Sequence, residues 1–185
     1  MSVRTSALFE SPAWCRVMRG DNSFALPIVL EPYMAISATV SPSGRWVVLG
    51  LGRKNKPLNG TYQQPDIDMM EGSYVLRLFQ LKDGAYQYAK SFDPEGTWRF
   101  DAWSKDESKL LLVAGPMIRE GERLRRDCGY VLDTRAMNLK LLLYYDYITK
   151  SEFAEDQKTA IFTTLRFTND PANDYRQVST QKVRL

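Results

Sequence analysis

From Met34 onward the chain is a succession of short apolar runs separated by polar turns. Met34–Val40 (MAISATV) reads as a strand. Ser41-Pro42-Ser43-Gly44 follows as a tight turn, because Pro presets φ and Gly accepts positive φ. Arg45–Gly52 (RWVVLGLG) has the β-branched and aromatic composition of a buried strand. Ser73–Leu81 (SYVLRLFQL) alternates, with Tyr74, Leu76 and Leu78 on one face and Val75, Arg77 and Phe79 on the other. Lys82-Asp83-Gly84 is a hairpin signal, and Ala85–Phe92 (AYQYAKSF) completes four strands.

The order then recurs. Thr97–Trp103 (TWRFDAW) is a strand, Ser104–Ser108 (SKDES) a polar turn, and Lys109–Gly115 (KLLLVAG) a buried strand. Cys128–Thr134 (CGYVLDT), the turn Arg135–Asn138 and Leu139–Tyr147 (LKLLLYYDY) close a second set of four. Ser41 and Ser104 are 63 residues apart, and Tyr74 and Tyr130, which open a shared Tyr-Val-Leu, are 56 apart. A shorter second loop accounts for the smaller offset. The pattern predicts two four-stranded antiparallel meanders, 34–96 and 97–147, in one domain.

SPSGRWVVL and WSKDESKLLLV resemble the turn-plus-strand repeat of TolB-like and WD40-like β-propeller blades. The resemblance covers Met34–Tyr147 and implies blade-like sheets. It departs from the family at Ser43, which stands where Asp is usual, and at Lys105-Asp106-Glu107, which lacks Pro and Gly. Neither Trp-Asp nor Gly-His occurs. Two such units are too few to close a propeller. The expected fold is therefore all-β, an incomplete propeller or a sandwich.

The flanks read differently. Ala13–Gly20 and Ser23–Leu30, joined at Gly20-Asp21-Asn22, form a hairpin within 1–33, with Pro27 marking an edge strand. In 148–185, Ser151 followed by Glu152, Glu155 and Asp156 has the form of a helix start. That predicts a short helix over Ser151–Lys158. Thr159–Phe167 (TAIFTTLRF) then has strand composition, and a polar tail follows.

Composition narrows the chemistry. The 185 residues are 44% hydrophobic and 25% charged, in the range of soluble globular domains. There is no histidine, which removes Ser-His-Asp and Cys-His catalysis and His-ligated zinc. No cofactor is implied. The net charge of +3 is too small to indicate nucleic acid; stacking of bases on Tyr62 or Trp46 is the form such binding would take. No secretory leader or membrane-spanning run is evident, and the two cysteines, Cys15 and Cys128, suit a reducing cytoplasm.

Two loops carry the candidate sites. Arg53, Lys54 and Lys56 lie in the first, and Arg119, Arg123, Arg125 and Arg126 in the second. If the meanders share one topology, the two loops leave their sheets at equivalent ends and form a mixed-charge edge for a protein partner. Asp66, Asp68 and Glu71 offer an alternative metal site for a carboxylate-dependent hydrolase, although their spacing fails the EF-hand pattern. Ser41, Ser43 and Ser104 have no base in the pattern and read as turn residues. Cys128, beside Asp127 and close to Arg125 and Arg126, is a candidate activated thiol or a half-buried strand residue. The leading expectation is a non-catalytic protein-binding module, such as a bacterial immunity or inhibitor protein that occludes a toxin. An oligomeric propeller-like scaffold is a further alternative.

Overall fold

The computed structural model describes residues 2–6, 14–19, 21–27, 33–53, 74–92, 97–117, 126–167 and 176–185. Everything regular among them is β. The chain divides into two compact units, 1–97 and 98–185.

The first unit holds two antiparallel sheets. Sheet I has the order β1 (Ser2–Ser6), β2 (Trp14–Arg19), β3 (Asn22–Ala25). The expected hairpin is β2–β3, with Arg19 opposite Asn22. Sheet II is the first meander: β4 (Tyr33–Val40), β5 (Trp46–Arg53), β6 (Tyr74–Lys82) and β7 (Ala85–Phe92), in chain order. Val17 of the first sheet and Leu26, just after β3, pack with Val47, Leu49, Leu51, Phe79 and Tyr86 of the second. Val48, Leu76 and Leu78, of opposite parity, are buried as well, so β5 and β6 are apolar on both faces. This is why RWVVLGLG reads as a continuous hydrophobic run and not as an alternation.

The second unit repeats the plan. Sheet III is β8 (Thr97–Trp103), β9 (Lys109–Met117), β10 (Arg126–Asp133) and β11 (Asn138–Tyr145). Sheet IV is β12 (Tyr147–Phe153), β13 (Thr159–Phe167) and β14 (Arg176–Arg184). Leu111, Val113 and Val131 of sheet III pack with Ile148, Ala160 and Phe162 of sheet IV. The approach is close. A Cβ at Gly129 on β10 would lie 2.5 Å from the Phe162 ring, so a residue without a side chain is needed there.

The expected helix over Ser151–Lys158 is absent. Ser151–Phe153 end β12, and 154–158 form a turn. That turn is the third copy of one device. The turns at Ser41–Trp46, Ser104–Lys109 and Ala154–Thr159 share their bonds. In each, the first N–H donates to the sixth carbonyl, at 2.9, 2.8 and 2.9 Å. The fourth N–H donates to the first carbonyl, at 2.8, 2.9 and 3.0 Å. The fourth residue is left-handed: Gly44 at φ 80°, Glu107 at 57° and Gln157 at 54°. Of the acids that mimic a helix start, Glu152 belongs to β12 and Asp156 caps the turn. Asp156 accepts from the Lys158 and Thr159 N–H groups and from Thr159 Oγ1.

The turns also fix the register of the third strands. Leu81, Thr134 and Leu185 each donate their N–H to the fifth turn residue, at Arg45, Ser108 and Lys158, all at 2.8 Å. Tyr130 is therefore equivalent to Arg77 and not to Tyr74. The shared Tyr-Val-Leu is a chance match three residues out of register. A second correction concerns the last strand of the second meander. Tyr145 ends β11 and Tyr147 begins β12, so the chain changes sheet at Asp146, and Leu139–Tyr147 is not one strand.

Candidate functional site

Of the predicted site residues, Arg53 ends β5 in the first unit and Arg126 begins β10 in the second. Lys54, Lys56, Arg119, Arg123 and Arg125 lie outside the described residues, as do the alternative metal ligands Asp66, Asp68 and Glu71. Among the described residues no group of three or more acidic, Cys or His side chains could hold a metal. Arg126 is engaged within its own unit. Its Nε lies 3.7 Å from Asp146 Oδ1, and its guanidinium carbon lies 5.0 Å from the centre of the Tyr144 ring. Cys128 is buried in the core, which favours the structural reading. Trp46 is buried and offers no face for stacking a base.

The serines are turn residues. Ser41 Oγ accepts from the Trp46 N–H at 3.1 Å, and Ser43 Oγ from the Arg45 N–H at 3.2 Å. Ser104 Oγ accepts from the Lys109 N–H at 2.9 Å and donates to Asp106 at 2.8 Å. Bonds from Ser104 and Ser108 hold the Asp106 carboxyl down to about 2.

A cluster that the sequence reading missed ties sheet IV to sheet III. Asp127 Oδ2 accepts the Ile148 N–H at 2.8 Å. Arg99 Nη2 donates to the Ile148 carbonyl at 3.1 Å. Asp101 accepts both the N–H and the Oγ–H of Ser151, each at 2.7 Å, and the Arg99 Nε at 2.6 Å. Three side chains of sheet III thus hold the backbone of β12. Asp127 is buried, and burial raises its carboxyl above the ordinary range; the Ile148 N–H and Arg99 only partly oppose this. The Arg99 guanidinium is held still further into its charged form by its bond to Asp101. A Cβ at Gly115 would strike the Asp127 carboxylate, so this glycine makes room for it. Every acid and the arginine of the cluster are bonded to protein groups. The arrangement is a latch between the two sheets.

The exposed apolar groups lie elsewhere. Ile148, Ala160 and Phe162 face the core, so Tyr147, Ile161 and Leu165 fall on the opposite face of sheet IV. Tyr147 stands directly across from Leu165, and Leu165 across from Val178. The row runs through all three strands. Tyr147 is 44% exposed and Val178 64%, with Leu165 partly buried between them. Lys150, Lys182 and Arg184 stand on the same face, by the same register. The sequence signal was the alternation in Thr159–Phe167 together with an isolated Val in a polar strand. Neither can be assigned to a face until the helix expectation for 151–158 is removed.

No family model matches the chain, and no curated protein matches it. Among solved structures it is similar to the crystal structure of a "putative 6-phosphogluconolactonase" from Bacteroides fragilis, at 9% identity and a TM-score of 0.34. The match covers 94% of this chain and 65% of that one, so the chain spans about two thirds of that protein's length. The all-β, blade-like assignment rests on the sheets described above and not on this likeness.

Proposed function

We propose that the protein is a non-catalytic protein-binding module whose contact surface is the outer face of sheet IV. The supporting observation is the cross-strand row Tyr147–Leu165–Val178. It lines up exposed Tyr147 and Val178 on either side of the partly buried Leu165, on a sheet face that also carries Lys150, Lys182 and Arg184. Scattered exposed apolar residues are ordinary, whereas a contiguous patch with a polar rim is the anatomy of a protein contact. In its narrower form the partner is a toxin that the module occludes.

The test is affinity capture with matched variants. Wild type and Tyr88→Glu, which alters an exposed aromatic on β7, should retain the same partner. The double variant Tyr147→Glu/Val178→Glu should lose it without a change in melting temperature. Equal capture by all three proteins, or capture of nothing, refutes the reading. Rescue of cells from the captured partner's toxicity tests the narrower form.

A further inference from the structure

The third strands of sheets II and III, β6 and β10, each pair on both sides. Among the described residues β14 pairs with β13 alone. The register shows which of its backbone groups are left over. Leu185 donates its N–H to the Lys158 carbonyl, and Arg184 stands opposite Thr159. In an antiparallel ladder the bonding pairs alternate. The odd positions of β14 therefore turn their N–H and C=O toward β13. Arg176, Val178, Thr180, Lys182 and Arg184 turn theirs away, along the edge. Such a row of donors and acceptors is a template for one more strand.

The sequence of β14, RQVSTQKVR, contains three cations and no acid. Lys182 and Arg184 are exposed, on the same face as the apolar row that ends at Val178. Among the described strand residues of sheet IV the one acid, Glu152, is paired with Lys150. A second copy of β14 is a poor occupant, because antiparallel pairing centred on Thr180 would bring Arg184 opposite Arg176. Like charges directly across a ladder repel.

We propose that the β14 edge binds an extended acidic segment of a partner protein as an added antiparallel strand. The added strand occupies the position that β7 and β11 hold in sheets II and III. Its backbone pairs with the outward groups of Val178, Thr180 and Lys182, and its acids face Lys182 and Arg184. This inference rests on the protein-binding reading and names the chemistry of the partner.

The experiment uses the full chain and amide hydrogen exchange read by NMR. The probe is a capped peptide alternating valine and glutamate, matched to the 9 residues of β14. In the free monomer the amides of Val178, Thr180 and Lys182 should exchange fast and those of Ser179 and Gln181 slowly. The probe should slow the first group by about fivefold or more, the effect of one added hydrogen bond per amide. A valine–lysine peptide should bind about tenfold more weakly, the scale of two exposed ion pairs replaced by repulsion. A valine–glutamate peptide N-methylated along its pairing edge should give no protection, a control that leaves the protein's own folding untouched. Slow Val178, Thr180 and Lys182 amides in the free monomer would overturn the proposal. So would unchanged exchange with the probe, or equal protection by the N-methylated peptide. Partner capture through Tyr147 and Val178 without edge protection would sink the edge and leave the binding face standing.

Discussion

Removing the Asp127 carboxylate tests the latch that holds sheet IV, and with it the proposed binding face. In Asp127→Ala the Ile148 N–H stays buried and loses the acceptor now 2.8 Å away. An orphaned buried donor costs about 1–3 kcal/mol. For a chain of 185 residues, about 2 kcal/mol lowers the melting temperature by about 4–8 °C. Asp127→Asn keeps an acceptor of the same shape and should cost under about 1 kcal/mol. The pH dependence adds a signature. Burial places the folded carboxyl above its ordinary value of 3.8. Above the folded value the group is ionised in both states, and its burial opposes folding. As pH falls through that value toward 3.8, the native state takes up a proton that the unfolded state does not yet hold, and the penalty is relieved. Asn does not titrate. The stability difference between wild type and Asp127→Asn, from urea melts at a series of pH values, should be flat above the window. It should shift toward wild type within it. An Asp127→Ala protein as stable as wild type would refute the latch, and a shift in the opposite direction would refute the burial argument.

Other expectations follow from the turns and from the sheet III–sheet IV contact. Ser41→Ala should cost about 1–2 kcal/mol in chemical denaturation, because Ser43 already accepts from Arg45 and cannot take over the Trp46 N–H. Ser104→Ala should cost less than about 1 kcal/mol, because Asp106 can rotate to the bonds that Asp156 makes beside Ala154. Asp106 is held down to about 2, so its contribution is present above 3.8 and is lost as pH falls from 3.8 through about 2. Asp106→Asn should remove that part of the acid limb in pH-dependent melts. Gly129→Ala should cost about 1–3 kcal/mol by thermal melting, since the Phe162 ring must move, whereas Gly84→Ala meets no atom and tests backbone conformation alone.

Much of the fold was legible locally. The four runs of sheet II and the four of sheet III carry their turn chemistry and hydrophobic pattern in adjacent residues, and both meanders stand where those patterns put them, except that the last strand of the second ends at Tyr145. The third turn was hidden because its residues satisfy two local codes. Ser151, Glu152, Glu155 and Asp156 match a helix start as well as a capped turn, and Ala154 replaces the serine that marks the other two copies. The usable signal was Asp106 and Asp156, each three residues after an aromatic, at Trp103 and Phe153. The Tyr-Val-Leu match misled for a related reason: strand composition is repetitive, so three residues do not determine a register.

By itself the sequence determined that the chain is β-rich, where its first two meanders turn, and that no histidine serves it. These are properties of neighbouring residues and of composition. Tertiary structure alone decided that Asp127, Arg99 and Asp101 converge on the backbone of β12, across 21 to 50 residues of chain. It alone put Tyr147, Leu165 and Val178 in one row and left β14 with an unpaired edge among the described residues. Those features depend on which strands pair and in what register, and pairing is selected by burial summed over a whole sheet. A row across a sheet consists of residues that are neighbours only after the chain has folded.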